Sequence, residues 1–185
     1  PVTELMSFCY VLFLPYLAFS IIRYVASPLH EARPFFAGLF TLYGIGFLGY
    51  LLMPAGGPIA AMAAQFTVPL DGWAITRWTA RIVEAGSNHV DAFPSLHCGV
   101  SLYLLLSDRV CKRWRFWLYL FPAAGLWVST IYLRYHYFVD VLAGFALAGL
   151  CLCVAAVQRR REVAAAVQYA PASVKHRHPL PEGLS

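Results

Sequence analysis

The chain reads as long apolar runs separated by short polar breaks. Five runs reach, or come close to, the length an α-helix needs to cross hydrocarbon: 5–22, 35–53, 92–107, 116–133 and 141–157. Pro15, in the middle of the first, predicts a kink that neighbouring helices tolerate inside a membrane. Arg23 and Tyr24 follow as interface residues, and 27–34 reads as a short polar loop. The second run carries Gly38, Gly44, Gly46 and Gly49, small residues that suit close helix packing. It ends at Pro54-Ala55-Gly56-Gly57-Pro58, which no regular helix continues through.

The connection 59–91 is too polar to span, and Trp73, Arg77, Trp78 and Arg81 predict a helix lying in the interface. The third run opens with Pro94 and Ser95, both helix-start residues, which puts His97 in the first turn. A short basic loop, 108–115, precedes the fourth run. Arg159, Arg160 and Arg161 stop the fifth, and 159–185 reads as a basic cytoplasmic tail, a short frayed helix followed by a disordered Pro-containing end with solvated His176 and His178. The expected fold is all-α: a polytopic transmembrane helix bundle over 1–158, with five spans and an interfacial helix between the second and third. The sequence begins at Pro1, so a sixth span is expected in the full-length protein.

Composition agrees with the pattern. The chain is 60% hydrophobic and 12% charged, and water-soluble domains carry about twice that charge fraction. Mean hydropathy is +0.62. The net charge of +5 does not call for nucleic acid, because Lys and Arg collect in cytoplasmic loops of membrane proteins. Arg33, Arg109, Lys112, Arg113, Arg115 and the arginine triplet fall on one side of a five-span chain; Arg77, Arg81 and Arg134 fall on the other. The first side is therefore expected in the cytoplasm, and His97 and His136 on the extracytoplasmic face. The five cysteines form no Cys-x-x-Cys pair, and no metal or other cofactor is called for.

The chemistry concentrates in Ser129-Thr130-Ile131-Tyr132-Leu133-Arg134-Tyr135-His136-Tyr137-Phe138-Val139-Asp140. Ionisable groups at bilayer depth are costly and mark a functional site. If the segment is helical, His136 and Asp140 lie one turn apart, and Ser129 falls near the same face. Asp140 then accepts from one imidazole nitrogen and leaves the other as a base or nucleophile. Two histidines and an aspartate allow zinc binding, acyl transfer or phosphoryl transfer. A His-Glu-x-x-His helix and a Gly-x-Ser-x-Gly elbow are both missing, whereas a helix start with Ser95 beside His97 suits a phosphate.

Phe93-Pro94-Ser95-Leu96-His97, followed by Ser129-Thr130-x-Tyr132-Leu133-x-x-His136-Tyr137-x-x-Asp140, resembles the type 2 phosphatidic acid phosphatase superfamily. The resemblance is nearest to its inositolphosphotransferase-like branch, related to inositol phosphorylceramide synthase, and Tyr50-x-x-x-Pro54-Ala55-Gly56-Gly57-Pro58 resembles that branch's upstream turn. It implies that His136 attacks phosphorus, that Asp140 orients it, and that His97 is general acid and then base. It also implies a lipid phosphate or phospholipid substrate, with either head-group phosphotransfer or simple phosphatase activity. A catalytically silent membrane scaffold of the same fold is the contrasting expectation. Leu96 stands where the superfamily has glycine, Thr130 where it has arginine, and Ala26 where it has lysine. Phosphate contacts are then expected from Ser95 and the Leu96 turn, with charge neutralised by Arg134, Arg77, Arg81 or His89.

Overall fold

The structure, a computed structural model, describes residues 1–88 and 90–168; His89 and the tail beyond, with His176 and His178, lie outside the described residues. Among the described residues, eight α-helices run in chain order: α1 Val2–Val11, α2 Phe13–Val25, α3 Leu29–Leu52, α4 Pro58–Ala61, α5 Ala74–Gly86, α6 Leu96–Cys111, α7 Arg113–Tyr132 and α8 Phe138–Gln168. A 3-10 turn, Ala63–Gln65, follows α4. The one isolated β-type bridge among the described residues pairs Ala55 with Asp91.

Among the described residues, three stretches are long and apolar enough to cross a membrane: Val2–Val25, Leu29–Leu52 and Phe138–Ala165. The first holds both α1 and α2, interrupted at Leu12. Pro15 explains the interruption, because its missing N–H and its ring remove the bond to the Val11 carbonyl one turn back. Two further helices, α6 with 16 residues and α7 with 20, fall outside those limits. Packed against α2, α3, α7 and α8, α6 buries Ser101 and Asp108 among protein neighbours. A helix covered by protein needs less apolar surface than one facing lipid.

Close packing of α3, α6 and α8 runs through glycine. Gly38 leaves room for the Tyr103 hydroxyl, Gly46 for Leu96 and Gly49 for Pro94. Gly99 of α6 faces Gly144 of α8, where an added Cβ would stand 2.9 Å from the Gly144 carbonyl. Gly44 meets nothing within 4 Å and has no packing role.

Two expected loops are largely helical. Most of 27–34 belongs to α3; Pro34 lies in the second turn, loses a single bond to His30 near a helix end, and is buried. The 108–115 loop shrinks to Lys112. Arg115, expected in a cytoplasmic loop, is instead buried in the bundle: its guanidinium lies 3.1 Å from Asp108 and donates to the Ser20 hydroxyl at 2.7 Å. Tyr16 and Tyr24 donate to the same carboxylate at 3.3 Å each. The helix α8 runs through Arg159, Arg160 and Arg161 to Gln168 rather than stopping there.

The expected helix in the 59–91 connection is α5. Ile75, Thr76, Thr79, Ile82 and Val83 form its covered face and Trp73, Arg77, Trp78 and Arg81 are exposed. Its start is held by α1: the Glu4 carboxylate accepts from the N–H groups of Trp73 and Ile75 at 2.7 Å and of Thr76 at 3.2 Å, and from the Thr76 hydroxyl at 2.7 Å. Those are donors that a helix start leaves without intrahelical partners. The starts of α1, α5, α6 and α8 and the ends of α3 and α7 thus gather at one end of the bundle.

Candidate active site

His97 is placed by the start of α6. Ser95 is the N-cap, its hydroxyl accepting the Cys98 N–H at 3.4 Å, so His97 is the second residue of the helix. The Phe93–Pro94 peptide bond ahead of it is cis. The imidazole sits between Tyr10 and Phe13, with ring centroids 4.9 and 5.0 Å away, and its Nε2 lies 3.1 Å from the Tyr10 hydroxyl.

His136 is placed differently from the helical expectation. The end of α7 is a Schellman motif: Tyr135 N–H bonds to the Thr130 carbonyl and Arg134 N–H to that of Ile131, both at 3.0 Å. Arg134 occupies the left-handed position of that motif, with φ 65°, where glycine is usual. His136 therefore lies in the break before α8, and Asp140 belongs to the first turn of α8. Asp140 Oδ2 accepts the Tyr137 N–H at 2.7 Å and stands 3.8 Å from His136 Nδ1. The nearer partner of that nitrogen is the Ala92 carbonyl, at 2.9 Å. A carbonyl oxygen only accepts, so Nδ1 carries the proton and Nε2 is left as the basic nitrogen.

Backbone bonds tie the two histidine segments into one frame. Ser95 N–H donates to the Asp140 carbonyl at 3.0 Å. The turn at Pro54–Pro58 binds both sides: Ala92 N–H donates to the Ala55 carbonyl at 3.0 Å, and Ile59 N–H to the Arg134 carbonyl at 2.8 Å. Gly57 is required there, because an added Cβ would collide with the Tyr135 carbonyl.

The imidazole rings of His97 and His136 come within 5.9 Å, centroid to centroid, on the wall of an open cavity of about 520 Å3. Its apolar lining includes Val11, Leu14, Ile59, Ile82 and Val83; its polar lining includes Tyr10, Tyr50, Tyr135, Ser87, Glu84 and Asp91. The lining comes from α1 to α6 and three connections, which explains why sequence spacing alone did not single out Tyr10, Phe13, Glu84 or Asp91. Asp91 did carry a signal, as a carboxylate directly ahead of the histidine motif.

The other expected residues lie elsewhere. Ser95 is buried and used as a cap, Leu96 is in the hydrophobic core, and Ser129 donates to the Leu126 carbonyl; none lines the cavity. Arg134 points to the preceding connection, donating to the Val68 carbonyl at 3.0 Å with its guanidinium 4.0 Å from the Phe66 ring. Arg77 and Arg81 are on the exposed side of α5, and His89 is outside the described residues. Among the described residues, then, the charged groups lining the cavity are Glu84 and Asp91. No group of three or more His, Cys, Asp or Glu side chains converges as a metal site among the described residues.

The sequence model of the PAP2 superfamily matches residues 1–154. The chain belongs to the PAP2 superfamily. This PAP2 protein is similar to the inositol phosphorylceramide synthase catalytic subunit of Schizosaccharomyces pombe, with 43% identity over 65 residues, 35% of this chain and 15% of that protein. It is also similar to the inositol phosphorylceramide synthase of Candida albicans, 42% identical over 57 residues, 30% of this chain and 12% of that one. A PA-phosphatase related-family protein of Dictyostelium discoideum is 30% identical over 125 residues, 65% of this chain and 22% of that one. The PAP2 chain thus spans only 12% to 22% of the length of these curated relatives. No solved structure matches it.

Proposed function

We propose that this PAP2 protein is a membrane-embedded lipid phosphotransferase or phosphatase that works through a phosphohistidine. The convergence of His97 and His136 on one cavity, 5.9 Å apart and with Nε2 of His136 left basic, carries this reading. Nε2 of His136 attacks phosphorus as the bond to the lipid oxygen breaks. Asp140, 3.8 Å from the ring, steadies the positive charge that His136 acquires. His97 is the source of the proton that the leaving oxygen acquires and the final holder of the one that the incoming acceptor gives up. Dividing one displacement into two in this way is covalent catalysis.

Head-group transfer between lipids is the favoured outcome of the second step. The cavity supports it with Glu84 and Asp91, carboxylates able to accept bonds from the hydroxyls of a polyol acceptor. Water in the same place gives a simple lipid phosphate phosphatase. The bundle lies in a membrane with the cavity on the extracytoplasmic face and the C-terminal end in the cytoplasm, and the chemistry needs no metal ion.

The test is purified protein with a panel of phospholipids, with and without inositol-type and lipid-alcohol acceptors. Product is expected to form at full rate in excess chelator and to be suppressed by vanadate, and His136→Ala should form no phospho-enzyme. Activity lost to chelation and restored by zinc or magnesium would sink the phosphohistidine reading. Equal, modest losses in His97→Ala and His136→Ala would point instead to a silent scaffold in which the pair is a structural polar cluster.

A further inference from the structure

We infer that Tyr10 is a further catalytic residue, whose hydroxyl carries the proton between His97 and the oxygen that leaves, and later enters, at phosphorus. Tyr10 has this role only within the phosphohistidine chemistry proposed above. It comes from α1, far in sequence from both histidine motifs, yet it stands against both. Its hydroxyl is 3.1 Å from His97 Nε2, and its ring centroid is 4.9 Å from His97 and 4.9 Å from Tyr135, the residue before His136. Tyr10, His97, Tyr135 and His136 all line the same cavity. Phe13 packs on the other side of His97, 5.0 Å away, without a polar atom.

The hydrogen bond occupies the very nitrogen of His97 that a proton would leave from. A phenolic hydroxyl both donates and accepts, so it can pass a proton on without holding a charge. In the first step His136 Nε2 forms a bond to phosphorus as the phosphorus–oxygen bond to the lipid breaks. The leaving oxygen takes the Tyr10 proton while the Tyr10 oxygen takes the Nε2 proton of the His97 imidazolium. The alcohol departs neutral, Tyr10 is restored, and His97 becomes a neutral imidazole. The second step reverses the path: the acceptor hydroxyl attacks phosphorus, its proton goes to Tyr10, and the Tyr10 proton returns to His97. The His136–phosphorus bond breaks, and no further reactant is needed.

Tyr10→Phe keeps the ring and removes only the hydroxyl. Two phosphodiesters are compared, one leaving as a lipid alkoxide and one as a nitrophenolate, which departs with little protonation. The ratio of their rates in Tyr10→Phe should shift about 100-fold against the lipid, the scale of one positioned acid or base. Phe13→Leu, which alters packing around His97 and removes no polar atom, should slow both substrates in proportion. A Tyr10→Phe protein that loses both activities equally, or neither, overturns the role. Difluorotyrosine at position 10 keeps size and hydroxyl while making the group more acidic. It should shift the pH profile of kcat/KM for the lipid substrate alone, and an unchanged profile also overturns the role. A phospho-enzyme still formed by His136→Ala defeats the phosphohistidine reading itself, whereas equal Tyr10→Phe losses beside an inactive His136→Ala defeat Tyr10 alone.

Discussion

His136 owes its tautomer to Ala92, whose carbonyl 2.9 Å away can only accept and so holds the proton on Nδ1. Ala92 is in turn placed by its own N–H on the Ala55 carbonyl, and the loop carrying His136 lies directly against Gly57. The side chain at position 57 is therefore coupled to a nitrogen it never touches. Gly57→Ala drives a methyl group into the Tyr135 carbonyl, and overpacking of this kind costs about 1–3 kcal/mol. The expected result is a lower unfolding temperature in detergent together with slower phospho-enzyme formation, because the loop moves off the Ala92 carbonyl. Gly44→Ala meets open space inside a helix and should lower neither measurement. Matching behaviour of the two variants would show that the Gly57 contact does not hold the loop.

At the scale of the helices, two polar clusters hold elements that apolar packing would leave loosely specified, since lipid is as apolar as a leucine side chain. At one end, Asp108 and Arg115 are 0% and 1% exposed and join α2, α6 and α7. Arg115→Met strands the Asp108 charge and should cost about 3–5 kcal/mol in denaturant unfolding. Replacing both residues by apolar ones of similar volume should recover most of that loss, since no charge is then left unpaired. A double variant as unstable as the single would mean that the tyrosine and serine bonds, rather than the ion pair, carry the junction. At the other end Glu4 of α1 caps α5. Glu4→Ala leaves the first turn of α5 without its acceptors, so the amides of Trp73, Ile75 and Thr76 should exchange hydrogen faster while those of α6 stay protected. Unchanged protection at those three amides would show that the cap is not what orders α5.

Across the whole molecule, the elements bearing His97, His136 and α5 gather at one end, and the cationic residues Arg33, Lys112 and Arg159 at the other, where Arg33 meets Glu162 and Lys112 meets Glu31. In the proposed orientation, which rests on the Lys and Arg asymmetry, the second end faces the cytoplasm. In a cysteine-free background, an impermeant thiol reagent added to intact cells should label Glu84→Cys and spare Lys112→Cys. Labelling of position 112 alone would invert the proposed orientation.

The apolar runs, the proline-rich turn and the two histidine motifs were all legible in the residue order. Each depends on neighbours within a turn or two: run length sets a helix, Ser95 caps the one that carries His97, and Pro15 interrupts the first. Three other features were settled by the tertiary structure. Arg115 looks like a loop residue in the sequence, yet Asp108, Ser20, Phe19 and Tyr24 surround it. Arg134, Arg77 and Arg81 looked suited to a phosphate because they share a side of the chain with the histidines. Yet the Schellman turn and the face of α5 direct them away from the cavity. Tyr10 and Asp91 reach His97 and the cavity because α1 packs on α5 and α7 while α6 packs on α7 and α8, contacts between residues distant in the sequence. Periodicity and local spacing give the face a residue occupies on its own helix. The neighbour opposite that face depends on how the helices cross.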